Sequence, residues 1–316
     1  MKASHSTASS NSNRGKYSLR NTVILGAAVL LIAVMSGCSA TGSGKSSTIN
    51  IATKGFAESD ILANAFKLLI ENDTKLKANV ETLDNSLLWN ALNEDKVDVY
   101  AEYTGTALIN ILKAEPEFDP QVAYDKVKKE LKEKNQLTVL DPIGFNNTYA
   151  FGLHKDQADK YGIKTTSQLA EKSGELIFGA SEEFINRPDA WPPILEKYNP
   201  KFKEIKTIQN PGLAYQAIDQ KLIDSMILYT TDSQITVKPI VVLEDDKHVF
   251  LPYYAVPIVR DEVLKEHPEL EKVLNKLSGK ITDAEMQKLN GEVELKQRPA
   301  LDVAKEWLTA NGLIEK

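Results

Sequence analysis

Ile49-Asn50-Ile51-Ala52, followed by Asp60-Ile61-Leu62-Ala63-Asn64-Ala65-Phe66-Lys67-Leu68-Leu69, decides the fold class of this 316-residue chain. The first run reads as a strand. In the second, Ile61, Leu62, Ala65, Phe66 and Leu69 recur at helical spacing, and Glu58 and Asp60 favour the positive N-terminal end of that helix. Working outward, Ala78 to Thr82 reads as a second strand, Leu87 to Leu92 as a short helix and Val97-Asp98-Val99-Tyr100 as a third strand. The order βαβαβ predicts an α/β protein with a mostly parallel sheet.

A second unit of the same kind begins near Gly144. Tyr149 to Leu153, Leu176 to Gly179, Ile205 to Ile208 and Asp224 to Leu228 have strand character, and Thr166 to Lys172 and Leu213 to Gln220 helical character. Toward the C-terminus, Leu270, Val273, Leu274 and Leu277 keep one helical face, and Thr282 with Glu285 forms a capping-box pattern. The pattern fits two α/β lobes or one large α/β domain. Two lobes would leave a cleft suited to a small ligand.

The N-terminal 37 residues have a different character. They hold Lys2, Arg14, Lys16 and Arg20 and no acidic residue, and Val23 to Met35 is apolar apart from glycine. That run is shorter than the ~20 residues a helix needs to cross ~30 Å of hydrocarbon, and Ser36-Gly37 supplies a small-residue cleavage site, so residues 1–37 are predicted to be a signal peptide. Cys38, the single cysteine, stands where the pattern resembles a bacterial lipobox, which would make it the lipidated first residue of a mature lipoprotein. Residues 38–47 then form a Ser- and Gly-rich tether. Within it Gly42-Ser43-Gly44-Lys45-Ser46 echoes a phosphate-binding loop but lacks the first glycine and the preceding strand.

Composition narrows the function. Without the leader, 34 basic residues face 44 acidic ones, a formal charge of -10 that repels nucleic-acid backbones. His154, His248 and His267 are far apart, no His/Cys spacing suits zinc, and no G-x-S-x-G elbow or G-x-G-x-x-G turn is present. Neither a metal, a cofactor nor an enzymatic reaction is predicted.

What is present is a set of tyrosines beside turn residues at strand ends: Tyr103 before Thr104-Gly105-Thr106, Tyr149 after Asn146-Asn147-Thr148, Tyr229 before Thr230-Thr231-Asp232, and Tyr253-Tyr254 after Pro252. Strand ends and the loops beyond them form the ligand crevice of parallel α/β sheets. Taken with Lys54-Gly55-Phe56-Ala57-Glu58, Phe184-Ile185-Asn186-Arg187-Pro188-Asp189 and Leu251-Pro252-Tyr253-Tyr254-Ala255, these phrases follow a known order. From about Ile49 onward the chain resembles the extracellular substrate-binding proteins of ABC importers for glycine betaine, carnitine and choline.

The resemblance implies a two-lobed type II periplasmic-binding-protein fold with the ligand in the interlobe cleft, lobe I comprising residues 48–142 and 248–316 and lobe II residues 143–247. It implies capture of a trimethylammonium solute and delivery to the permease subunits, with their ATPase behind them, by a lipoprotein on the outer face of the cytoplasmic membrane. Tyr103, Tyr149, Tyr229 and Tyr253 would form an aromatic cage, the surface suited to a cation that has no N–H to donate. Arg187, Lys54 and Thr106 would hold a ligand carboxylate, and Asn147 would sit beside the cage, where relatives often carry aspartate. Ala57 and Ala190 also depart from the family pattern. Trp191 is a candidate for either the pocket wall or the core, Asp84 could reach the ligand, and Tyr100 and Tyr254 are assigned to packing. Ergothioneine, an amino acid, or an exported enzyme on the same scaffold remain alternatives.

Overall fold

Ten strands form two five-stranded sheets in the computed structural model, which describes residues 48–186, 190–209 and 211–315. The chain divides into two units, Met1–Gly44 and Lys45–Lys316, and every described residue belongs to the second. The expected signal peptide, Cys38, the tether and Arg187 lie outside the described residues.

The first sheet contains β1 (Thr48–Thr53), β2 (Lys77–Thr82), β3 (Val99–Tyr103), β4 (Leu137–Val139) and β10 (Ala255–Arg260), in the order β2-β1-β3-β10-β4. The second contains β5 (Tyr149–His154), β6 (Ile177–Ala180), β7 (Glu204–Thr207), β8 (Ser225–Tyr229) and β9 (Ile240–Val242), in the order β7-β6-β8-β5-β9. The expected parallel pairings β1 with β2 and β3, and β6 with β7 and β8, are present. Each sheet also has one strand antiparallel to both its neighbours: β10 in the first and β5 in the second. Thus β10 returns to the first sheet after the chain has built the second.

Pro257 lies inside β10, a position that would normally argue against a central strand because proline has no N–H. Here β4 pairs only with Ile258, Val259 and Arg260, and beyond its end the Pro257 carbonyl accepts from Leu140 N at 2.9 Å. The missing donor therefore falls where β4 asks for none.

Helices cover both faces of each sheet, as apolar strands buried on both sides require. On one face of the first sheet, Phe66, Leu62 and Leu69 of the helix Ala57–Asp73 pack with the C-terminal helices through Leu274, Met286 and Leu308. The opposite face is closed by Leu88, Val127 and Leu131. In the second sheet Phe178 stacks on Phe202 (4.7 Å, 16°) and on Trp191 (5.3 Å, 12°), which places Trp191 in the core of that lobe. The Thr282–Glu285 capping box is formed as expected.

Two segments connect the sheets and run antiparallel to each other. Asn146 bridges Tyr254, Asn147 N donates to Tyr253 O (3.1 Å), Tyr253 N donates to Asn146 Oδ1 (2.7 Å) and Thr148 Oγ1 donates to Leu251 O (2.7 Å). Gly144 has φ +131°, and a Cβ there would stand 2.7 Å from Ile281 O, so the first crossing tolerates only glycine at this point. Phe66 is fully buried at the centre of the first core. Phe66→Ala is expected to lower the unfolding free energy by about 3–5 kcal/mol, measured by urea denaturation of the two proteins side by side.

Candidate functional site

The register between β5 and β8 sets Tyr149 directly opposite Tyr229. Their rings stack with centroids 4.8 Å apart at 28°, and the Tyr229 hydroxyl donates to the Tyr149 hydroxyl at 3.0 Å. Phe184 supports Tyr149 edge-on at 5.5 Å. Tyr149 begins its strand and Tyr229 ends its own, so antiparallel pairing brings both to the same edge of the second sheet.

Across from them, β3 ends at Tyr103 and the chain turns at once into the short helix Thr104–Thr106. Thr104 ties this turn to the second crossing segment, its hydroxyl donating to Pro252 O at 3.0 Å and accepting from Tyr254 N at 3.1 Å. A Cβ on Gly105 would lie 2.7 Å from the Tyr253 ring and 2.9 Å from Pro252 O. Glycine at 105 therefore allows Tyr253 to close against the turn.

These elements enclose a cavity of about 250 Å³. Tyr103, Thr106 and Asn110 line it from the first lobe, Asn147 and Tyr253 from the crossing segments, and Tyr149 and Tyr229 from the second lobe. All seven side chains are uncharged. Six of the eight residues selected from sequence meet here, and Asn110 joins them. Asn110 lies four residues after Thr106, so helical spacing from that threonine was the available signal. Tyr149 and Tyr229 also line an adjacent cavity of about 270 Å³ within the second lobe, where Ser181, Gln209 and Asp232 supply polar groups.

Lys54 does not line the cavity. Its ammonium forms a buried ion pair with Glu102, which also accepts from Tyr103 N at 2.8 Å, and lies 5.3 Å from the centroid of the Tyr103 ring. The resemblance gives Lys54 a ligand carboxylate as its partner; in this structure its charge answers Glu102. Arg187 lies outside the described residues. Tyr100 is buried, with its hydroxyl donating to Glu102 Oε2 at 3.2 Å, and Asp84 is not among the residues lining either cavity.

Behind the tyrosine wall lies Glu58, 2 % exposed. Its Oε1 accepts from the Tyr103 hydroxyl (2.6 Å) and Asn147 Nδ2 (2.9 Å), and its Oε2 from Asn290 Nδ2 (3.2 Å). Asn290 Nδ2 also donates to Thr231 O at 3.0 Å, linking the helix Asp283–Glu294 of the first lobe to the turn that follows Tyr229. Burial pushes the Glu58 carboxyl above the usual carboxylate range, while its hydrogen bonds from Tyr103, Asn147, Thr231 and Asn290 pull the other way. Burial and the neighbouring Glu58 charge keep the Tyr103 hydroxyl protonated.

Among the described residues no group of three or more His, Cys, Asp or Glu side chains could hold a metal ion, and no helix is long and apolar enough to cross a membrane. The arrangement is a small, aromatic-walled cleft between two lobes, uncharged among the described residues, which is the geometry of a binding site.

The family described as the substrate binding domain of ABC-type glycine betaine transport systems matches residues 47–310. The carnitine transport binding protein OpuCC of Listeria monocytogenes (serotype 1/2a, strain 10403S) is 39% identical over 287 residues, covering 89% of this chain and 93% of that protein. The ergothioneine transport permease/ergothioneine binding protein EgtU of Helicobacter pylori (strain G27) is 35% identical over 265 residues, 83% of this chain and 47% of that protein. A crystal structure described as a glycine betaine/carnitine/choline ABC transporter superposes with a TM-score of 0.81 at 35% identity, covering 84% of this chain and all of that one. The two mixed sheets are those of the type II periplasmic-binding-protein fold, whose members in ABC importers hand a captured solute to the permease. By fold, cleft and sequence together, the chain belongs to the family of substrate-binding domains of ABC-type glycine betaine transport systems.

Proposed function

We propose that this protein captures a trimethylammonium solute in the cavity between its lobes and releases it unchanged to an ABC permease. The observation that carries the proposal is the meeting of four tyrosines, from both lobes and the second crossing segment, around a cavity whose lining among the described residues is uncharged. A quaternary ammonium carries a positive charge but no N–H, so hydrogen-bond acceptors cannot direct it. The negative face of an aromatic ring attracts it by ~0.5–1 kcal/mol when exposed and ~2 kcal/mol when desolvated. Closure of the lobes would remove water and move the contacts toward the larger value.

The resemblance assigns the ligand carboxylate to Arg187, Lys54 and Thr106; Thr106 lines the first cavity, and Lys54 is paired with Glu102. Anchoring at the outer face of the cytoplasmic membrane through lipidated Cys38, after removal of residues 1–37, rests on the sequence pattern.

Calorimetric titration of protein beginning at Ser39 with glycine betaine, carnitine, choline, ergothioneine and proline tests the reading. Micromolar or tighter binding of at least one trimethylammonium compound, about -8 kcal/mol, with proline silent, is expected. Binding of proline alone would overturn it. Tyr149→Ala and Tyr229→Ala should each weaken binding about 10- to 30-fold, and the double substitution by less than the product, because each ring positions the other. Arg187→Ala should weaken carnitine and glycine betaine while leaving choline unchanged, which calorimetry of the three ligands against the one variant would show.

A further inference from the structure

The described residues of the cavity lining are neutral, yet two of them, Tyr103 and Asn147, converge on a single buried oxygen, Oε1 of Glu58. No cation is paired with Glu58 among the described residues; the hydroxyls of Tyr103 and Thr231 and the amides of Asn147 and Asn290 solvate it. The contrast with Glu102 is direct, since that carboxylate lies one residue from Tyr103 but is neutralised by Lys54. We propose that Glu58 is the counter-charge of the cage, a specificity-determining residue that favours cationic solutes from one hydrogen bond behind the wall.

The inference rests on the trimethylammonium reading given above. Its physical basis has two parts. The carboxylate projects a negative potential through a low-dielectric wall into the cavity, where a charge acts more strongly than in water. It also accepts the Tyr103 proton, and a donated O–H leaves its ring richer in electrons and its face more attractive to a cation. Asn147 suits this arrangement because an amide can donate to Glu58, whereas an ionised carboxylate at 147 would repel it. A ligand that fills the cage supplies the positive charge that the network lacks.

The charged and titratable groups around Glu58 are otherwise committed. On its own helix Asp60 accepts from Thr53 Oγ1 (2.6 Å). On β3 Glu102 is paired with Lys54. After β8 Asp232 accepts from the Tyr215 hydroxyl (2.7 Å) and Tyr229 N (3.1 Å), and on the helix Asp283–Glu294, Glu294 accepts from Ser233 Oγ (2.6 Å) and Asp283 from Asn146 N (2.8 Å). Asp232 and Asp283 are, like Glu58, pushed up by burial and are the controls.

Because burial raises Glu58 in the empty protein and a bound cation would favour its ionised form, affinity for the cation should fall as pH drops through the raised value. Stability should run the other way: this group's contribution is fully present below the ordinary carboxylate value and is lost as pH rises through the raised one. Glu58→Gln keeps the shape, so its expected signature is a thermal midpoint at pH 7.5 no lower than wild type, with choline and glycine betaine each bound about 10-fold more weakly. Wild-type affinity should decline as pH falls from 7.5 toward the ordinary carboxylate value, and the Glu58→Gln profile should be flat. Binding by Glu58→Gln within twofold of wild type, or a profile parallel to wild type, would overturn the assignment, as would a slope abolished by Asp232→Asn or Asp283→Asn instead. If Glu58→Gln does not fold, the wild-type profile decides: a flat one overturns the proposal, and a slope that survives in both aspartate variants supports it. Failure of the wild type to bind any trimethylammonium compound at pH 7.5 would instead remove the proposed function itself.

Discussion

The antiparallel pairing of the two crossing segments is the constraint on which the rest depends. Asn146 and Tyr254 form its bridge, and the neighbouring backbone bonds fix Asn147, Thr148 and Tyr253 relative to one another. From this short ribbon the chain enters β5 at Tyr149 on one side and β10 at Ala255 on the other, so one register sets the start of a strand in each sheet. Thr230 extends the tie to the second lobe, its N–H donating to Thr148 O (2.9 Å) and its hydroxyl to Asn146 O (2.5 Å). A slip of one residue in the ribbon would turn alternate side chains away from the cavity.

The parallel part of each sheet was legible because its signals are local: a β-type run, a turn and an amphipathic helix within some thirty residues. Among the strands in antiparallel pairs, β5 was legible as a strand, but β4, β9 and β10 were not. β4 and β9 are three residues each, too short for a period to declare itself, and β10 contains Pro257, the residue that sequence rules place outside central strands. What rescues Pro257 is the end of β4, a fact set by residues more than a hundred positions away. Expectations from spacing alone therefore favoured a mostly parallel sheet.

The same division runs through the site. Tyrosines next to turn residues at strand ends could be selected one by one, and six of the selected positions share a cavity. Lys54 is assigned to a ligand carboxylate through the resemblance; its partner in the structure, Glu102, is 48 residues distant and meets it only when β1 and β3 lie side by side. Glu58 had a complete local explanation, a carboxylate in the first turn of a helix, and that explanation concealed its burial and its long-range donors. Sequence supplies the residue types; pairing across the fold assigns their charges to partners.

Putting the negative charge behind the wall reconciles two demands that conflict in a cleft that opens and closes. A carboxylate on the lining would be hydrated in the open state and stripped of water on closure, and that desolvation would oppose ligand capture. Glu58 is desolvated once, on folding, and held there by the Tyr103 hydroxyl and the Asn147 amide. The cost is charged to stability and not to each binding event. Its link through Asn290 to the turn after Tyr229 has a further consequence: the group that biases the cage toward cations also spans the two lobes, so the charge preference and the geometry of the tyrosines are held by one network.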